Sequence, residues 1–152
     1  MDTSALRAFR TSREWKKAVG ALSATSVFAG IPELLTSLRG SGVSVAVVTT
    51  SVSYYASAVM RHHSLPYDTL IAYHDAPIKP LPASVLLALD RLGIEKCAAI
   101  GVGDNENDCL AYHAAGISAL GAGWSPYLKD AEWDATVPKP DFLPEFLKRN
   151  KK

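Results

Sequence analysis

Residues 101–116 join the end of an apolar run to a dense group of carboxylates and amides. The stretch reads GVGDNENDCLAYHAAG and follows the apolar residues 97–100. Asp104 and Asp108 are four residues apart, so on a helix they would share one face. Carboxylate and amide oxygens are the ligands preferred by a hard cation such as Mg²⁺. The spacing therefore predicts a magnesium site at Asp104 and Asp108, supported by Asn105.

Helix capping is the alternative explanation for these carboxylates. Asp104 could cap the start of a helix, and acidic residues in a first turn complement the helix dipole. Capping would explain Asp104 but not Asp108.

Two other ligand motifs do not fit the stretch 101–116. A calcium loop needs glycine where Cys109 stands, and a dinucleotide fingerprint needs a third glycine after GVG.

Two further polar clusters follow apolar runs. The run VSVAVVTT at 43–50 predicts a strand buried on both faces, and it ends in Thr49 and Thr50. Hydroxyls and free N–H groups at such a point can bind an anion, whereas simple capping of the next helix is the alternative. Lys79 could neutralise phosphate charge, or it is a solvated loop lysine. His74 follows the run LIAY. We expect it either to line the same site or to form a hydrogen bond within its loop.

The elements that must position these residues alternate between strand and helix. Prolines at helix starts and glycines at helix ends bound several of them. The predicted helices cover 4–19, 31–40, 53–63 and 82–93, with one more after Gly103, and the predicted strands cover 43–50, 68–73, 96–102, 116–123 and 134–137. This order predicts an α/β fold with a parallel sheet and helices on both faces. All three polar clusters fall near carboxyl ends of strands, where ligands gather in such sheets.

Length and composition fit one globular domain of 152 residues. The 16 basic and 15 acidic residues give a net charge of +1, which provides no reason to expect a nucleic-acid partner. No apolar run reaches the about 18 to 20 residues of a membrane span, so no membrane association is expected. The N-terminus lacks an apolar signal core, and we predict a cytoplasmic protein. Cys97 and Cys109 are predicted to be buried thiols rather than a disulfide framework.

Taken in order, the three clusters resemble motifs of the haloacid dehalogenase (HAD) superfamily of phosphohydrolases. VAVVTTS is similar to the second motif, Lys79 with Pro80 to the third, and the stretch 101–116 to the fourth. The resemblance extends from about residue 28 to residue 123. It implies a Rossmann-like parallel sheet and Mg²⁺-dependent hydrolysis of phosphate monoesters through an aspartyl-phosphate.

The resemblance also implies roles for individual residues. Thr49 and Thr50 would bind phosphate oxygens together with Lys79. Thr49 and Lys79 would be the catalytic residues that the chain retains. Asp104 and Asp108 would hold the Mg²⁺ cofactor.

The superfamily's first motif, Asp-x-Asp-x-Thr on a central strand, has no counterpart in the chain. The carboxylates before residue 43 are Asp2, Glu14 and Glu33, and none of them ends an apolar strand. In the family the first Asp of that motif attacks phosphorus, so we expect the chain to be inactive as it stands. Its central first strand would be missing between the strands at 43–50 and 96–102. Three explanations stay open: the start is truncated, another chain supplies the strand, or catalysis has been lost. The alternative function is a non-catalytic phosphate-binding or regulatory subunit that pairs with a chain supplying the missing strand.

The same resemblance sets the expected domain organisation and partners. We predict a single domain over 1–152, with 1–42 as a helical remnant of the cap-insertion region and 43–140 as the Rossmann-like core. An open site without a full cap favours a small-molecule or protein phosphate ester as substrate. Strand edges left without a neighbour predict a homo-oligomer or a partner chain that completes the sheet.

Overall fold

The computed structural model describes residues 20–149 of the chain. The α-helices wholly within this range cover Ile31–Gly40 (α1), Ser53–His62 (α2), Ala83–Leu92 (α3), Glu106–Ala115 (α4) and Leu143–Arg149 (α5). The strands cover Ala46–Val48 (β1), Thr69–Ile71 (β2), Ile100–Gly103 (β3), Ser118–Ala122 (β4) and Ala135–Val137 (β5). In this part of the chain no helix is long and apolar enough to cross a membrane.

The strands are all parallel, and over residues 20–149 they form two separate sheets. In one sheet β1 pairs with β2, and in the other β4 lies between β3 and β5. No described strand lies between β1 and β3, and we call the space between these two strands the strand gap. The predicted α/β class with parallel strands is therefore confirmed, and the gap lies where we expected a missing central strand.

Helices cover both faces of the strands. Neighbouring β4 residues Ala119 and Leu120 point to opposite faces and belong to different core clusters. One cluster contains Leu34, Leu38, Leu120, Val137 and Leu143, from α1, β4, β5 and α5. The other contains Val85, Cys109, Ala111, Tyr112, Ala115, Ile117 and Ala119, from α3, α4, β4 and the turn between α4 and β4. Val45, just before β1, and Ile100 of β3 pack against the first cluster.

Several predicted boundaries were wrong in detail. The third strand begins at Ile100, because Lys96–Ala98 form a 3₁₀ turn rather than its first residues. Cys97 therefore lies outside the strand and is exposed, whereas Cys109 is buried as predicted. The strand predicted at 43–50 is a regular strand only over Ala46–Val48, the residues that lie in register with β2.

Helix α5 was missed, although its pattern is visible in the sequence. Leu143, Phe146 and Leu147 have helical spacing and pack against one core cluster. The predicted helix at 4–19 lies outside the described residues, and the division into 1–42 and 43–140 stays a prediction.

Asp134 connects β4 to the start of β5 and supports a pH-dependent prediction. Its Oδ2 accepts hydrogen bonds from Ala119 N at 2.7 Å and from His113 Nε2 at 3.1 Å. The Ala119 amide, and then His113, hold the pKa of Asp134 below its usual value of 3.8. A carboxylate with a lowered pKa stabilises the fold fully above its unfolded pKa, and this contribution is lost as the pH falls through the folded pKa.

We therefore expect Asp134→Asn to lower the free energy of unfolding at pH 7 by about 1 kcal/mol, a modest loss because the carboxylate is half exposed. The loss should shrink as the pH falls below 3.8. Urea unfolding of both proteins across this range measures it, with the exposed Asp141→Asn as the control. A loss that stays constant with pH would contradict the role of the ionised carboxylate.

Candidate functional site

Lys79 and Asp108 form a nearly buried ion pair beside the strand gap. Lys79 Nζ lies 2.5 Å from Asp108 Oδ1, and the two side chains are 11% and 13% exposed. Lys79 Nζ also donates a hydrogen bond to the carbonyl oxygen of Val48 at 3.2 Å. Because Val48 ends β1 and Asp108 lies in α4, a single cation connects elements on the two sides of the gap. The third-motif lysine and the fourth-motif carboxylate therefore lie together.

Asp108 also belongs to a capping box at the start of α4. Asn105 Oδ1 accepts from Asn107 N at 3.0 Å, and Asp108 Oδ2 accepts from Asn105 N at 3.1 Å and Asp104 N at 3.3 Å. The N-cap is thus Asn105, and the capping alternative assigned this role to the wrong residue. Asn105 has an extended backbone, with φ −110° and ψ 147°, so the helix starts at Glu106.

Asp104 is held by a residue that the sequence did not indicate. Its Oδ2 accepts a hydrogen bond from Ser125 Oγ at 2.8 Å, and Ser125 is 6% exposed. The Asp104 backbone oxygen accepts from Lys129 N at 2.7 Å. Among the described residues no hydrogen bond engages Asp104 Oδ1. Ser125 lies a few residues after β4, at the same edge of the sheet. Its position after a predicted strand was the signal in the sequence that could have identified it.

The residues after β1 and β2 have different surroundings. Thr49 Oγ1 accepts from Ser51 N at 3.1 Å, while Thr50 is exposed. The N-cap of α2 makes no side-chain hydrogen bond, so capping does not explain the threonines. His74 is exposed, and its ring packs edge-on against Tyr73 with centroids 4.8 Å apart. No hydrogen bond within the described residues joins His74 to Lys79.

Two glycines of β3 permit the close approach of α4. A Cβ at Gly103 would lie 2.6 Å from the Asp108 side chain, and one at Gly101 would overlap the Tyr112 ring. The Tyr112 hydroxyl donates to the Val102 carbonyl at 2.9 Å. Burial, together with the charges of Asp108 and Asp104, raises the pKa of Tyr112, so it remains a protonated donor.

The oxygen donors at this edge fit a weakly held magnesium ion. Within residues 20–149 no three His, Cys, Asp or Glu side chains converge as metal ligands. Mg²⁺ commonly takes one or two protein carboxylates and keeps several waters, so such a sparse set is sufficient. Asp104 offers one carboxylate oxygen that no donor within residues 20–149 engages, whereas Lys79 and backbone amides already contact both oxygens of Asp108.

The fold and this edge define a parallel α/β scaffold with a buried lysine and two carboxylates beyond its strands. The model of the haloacid dehalogenase-like hydrolase family matches residues 4–122. The chain belongs to this family, and its scaffold is that of a HAD-family phosphatase, as the resemblance predicted.

Individual relatives agree with this assignment. The chain is 36% identical over 107 residues to the probable phosphatase IndB of Dickeya dadantii, covering 68% of this chain and 46% of that protein. It is 31% identical over 122 residues to a phosphoglycolate phosphatase of Xanthomonas campestris, covering 73% and 53%. A HAD phosphatase structure from Thermococcus onnurineus gives a TM-score of 0.79 at 22% identity, covering 90% of this chain and 65% of that one. The chain spans about half the length of these two curated relatives.

Proposed function

We propose that the chain is the phosphate- and magnesium-binding part of a phosphohydrolase and does not hydrolyse phosphate esters by itself. The observation that carries the proposal is the position of Lys79. Its ammonium group is nearly buried between Val48 O and Asp108 Oδ1, at the carboxyl end of β1, where ligands gather in parallel α/β sheets. A cation in such a water-poor site interacts with phosphate oxygens more strongly than an exposed lysine would.

Phosphate binding would use Lys79 together with Thr49 and Thr50. Thr49 Oγ1 already accepts a bond from Ser51 N, which leaves its hydroxyl hydrogen able to donate to a phosphate oxygen. Thr50 is exposed next to it. The substrate would be a small-molecule or protein phosphate ester, a class that the names of the phosphatase relatives support. The exposed His74 would at most contact the substrate from the edge of the phosphate site.

Magnesium would be bound mainly by Asp104, with Asp108 assisting through water. Ser125 and the Asn105 cap fix the two carboxylates from behind. When bound, the ion would neutralise phosphate charge. Ser125 orients the Asp104 carboxylate that would bind the ion, and Asp108 keeps Lys79 at the same site.

Inactivity is proposed because no described carboxylate is placed as a nucleophile. Asp104 is bound by Ser125, and Asp108 is paired with Lys79. The chain contains no Asp-x-Asp sequence. The second candidate is a non-catalytic phosphate-binding or regulatory subunit that pairs with a chain supplying the missing strand, and the strand gap favours it. A homo-oligomer and a cytoplasmic location stay predictions.

The magnesium proposal predicts weak binding centred on Asp104. Titration of the chain with MgCl₂, followed by calorimetry or by NMR shifts of residues 103–109, should give a dissociation constant of about a millimolar, because few protein ligands take part. Asp104→Asn should weaken binding at least about tenfold, which corresponds to about 1.4 kcal/mol.

Glu106→Gln is the matched control, since it removes one carboxylate charge from the same turn at an exposed position. It should shift the titration only slightly. If wild type and Asp104→Asn gave the same curve, Asp104 would not be the metal ligand.

A further inference from the structure

We propose that the cleft between α4 and residues 130–132 binds a divalent metal ion of the zinc class through Cys109, His113 and Glu132. This site uses none of the residues assigned to phosphate or magnesium, so it does not rest on the proposed function.

The cleft lies along one side of α4 and has a volume of about 370 Å³. Three residues of the helix line it, namely Glu106, Cys109 and His113. Their spacing of three and four residues puts them on one face of the helix. Residues 130–132, in the loop before β5, line the opposite side. A helix and a loop thus bring thiol, imidazole and carboxylate groups to one cavity.

Cys109 and His113 have nearly the separation of two ligands of one metal ion. Cys109 Sγ lies 4.0 Å from His113 Nδ1. A sulfur at about 2.3 Å and a nitrogen at about 2.0 Å from a tetrahedral zinc ion are about 3.6 Å apart. A small rotation of the two side chains would therefore fit an ion between them. Thiolate and imidazole suit zinc-class ions, whereas Mg²⁺ prefers oxygen ligands.

The second ring nitrogen of His113 is held in the way that metal sites require. His113 Nε2 lies 3.1 Å from Asp134 Oδ2, and a carboxylate accepts, so Nε2 carries the hydrogen and Nδ1 presents its lone pair. Asp134 is itself fixed on β4, because Oδ2 accepts from Ala119 N at 2.7 Å and Asp134 N donates to Ala119 O at 2.9 Å. Metal-bound histidines almost always donate their other N–H to such a partner.

Glu132 is the third ligand of the proposed site. Its side chain is exposed, and no hydrogen bond or ion pair among the described residues engages its carboxylate. Within residues 20–149 no third ligand already lies with Cys109 and His113, so Glu132 has to rotate toward them. Burial, followed by the charges of Asp134 and Glu132, raises the pKa of the Cys109 thiol, so the charge of Glu132 already acts on this group. On binding, the metal would replace the thiol proton, and water would fill the fourth position.

A thiol nucleophile is the other use of a Cys, His and Asp arrangement. A reactive thiol is partly exposed and has a lowered pKa. Cys109 is 1% exposed, and its pKa is raised. The metal site is therefore the better explanation, since a bound ion displaces the proton without exposure of the sulfur to a substrate.

Titration of the full, reduced chain with CoCl₂, followed by absorption, tests the site. A thiolate bound to Co²⁺ gives a charge-transfer band in the near ultraviolet. We expect this band to saturate at one ion per chain and to disappear when an excess of ZnCl₂ is added. Cys109→Ala should abolish the band. Cys97→Ser is the matched control, because it removes the other of the two cysteines, which is exposed, and it should keep the band.

Variants at exposed positions test the other ligands without a change in the core. His113→Ala and Glu132→Gln should each weaken Co²⁺ binding at least about tenfold, since each removes one of three protein ligands. Asp134→Asn should weaken it about 10- to 100-fold through the orientation of His113. Glu95→Gln is the control for Glu132→Gln, because Glu95 is exposed and lies outside the cleft, and it should leave the affinity unchanged.

Three results would overturn the proposal. The first is a band that survives in Cys109→Ala and is lost in Cys97→Ser, which would assign the metal to the exposed thiol. The second is the absence of any band at excess Co²⁺ while circular dichroism shows a folded chain. The third is faster alkylation of Cys109 than of Cys97 by iodoacetamide in the metal-free chain, which would identify a reactive nucleophile instead.

Discussion

Hydrolysis of p-nitrophenyl phosphate with Mg²⁺ should appear when an apolar strand ending in Asp-x-Asp-x-Thr is fused upstream of Met1 through a flexible linker. The chain of 152 residues without that segment should give little or no turnover. Lys79, and a magnesium ion held by Asp104 and Asp108, would neutralise phosphate charge, but no described carboxylate is free to attack phosphorus. The segment adds both a nucleophile and a general acid–base, and the second of these alone is typically worth about 10² to 10⁴-fold.

Lys79→Ala in the fused protein should remove the restored turnover, because Lys79 is the nearly buried cation at the site. Lys96→Ala is the control, since Lys96 is an exposed lysine in the turn before β3. A fused segment with Asn-x-Asn in place of Asp-x-Asp should give no turnover, which would show that the added carboxylates restore the chemistry.

Robust turnover by the unfused chain, abolished by Asp104→Ala, would contradict the prediction. The nucleophile would then lie within the chain, and Asp2 and Asp108 would be the first residues to replace. Supplying the segment as a separate peptide at saturating concentration should also restore turnover.

The fold could be predicted from the sequence because its signals are local. Pro32 lies in the first turn of α1, and Gly93 ends α3 in a left-handed conformation, so both boundaries follow from single residues. Runs rich in apolar residues predicted β1 to β4, and β5 was predicted near residues 134–137, although pairing with a neighbour decided how far each strand extends. Cys97 shows the limit, because a 3₁₀ turn delays β3 and leaves this residue exposed.

The candidate site was predictable in its residues but not in its contacts. Asp104 and Asp108 were predicted by type and spacing, and Lys79 by its resemblance to the third motif; the structure brings Lys79 and Asp108 together. The partners of these residues depend on tertiary structure, since Ser125 reaches Asp104 across 21 positions and Lys79 reaches Asp108 across 29. The choice of Asn105 as N-cap depends on one extended backbone conformation, which the sequence does not specify.

The Lys79–Asp108 pair predicts the largest change in stability. Asp108→Ala should lower the free energy of unfolding by about 3 kcal/mol, measured by urea denaturation, because it leaves a buried ammonium without its carboxylate. It also removes the reciprocal half of the capping box, which adds to the loss. Glu106→Ala is the control, since it removes an exposed carboxylate from the same turn, and it should change stability by less than about 0.5 kcal/mol.

Replacing both partners distinguishes a charge effect from a packing effect. Lys79→Met with Asp108→Leu should recover much of the stability lost in Asp108→Ala, because an apolar pair of similar volume avoids the desolvation of both charges. The recovery should be incomplete, since the Asn105 and Asp104 amides lose the acceptor that Asp108 Oδ2 provides. The single variants Lys79→Met and Asp108→Leu complete the comparison. If their separate losses of unfolding free energy simply added in the double variant, the two charges would not be coupled. Lys79 would then be held by Val48 O alone.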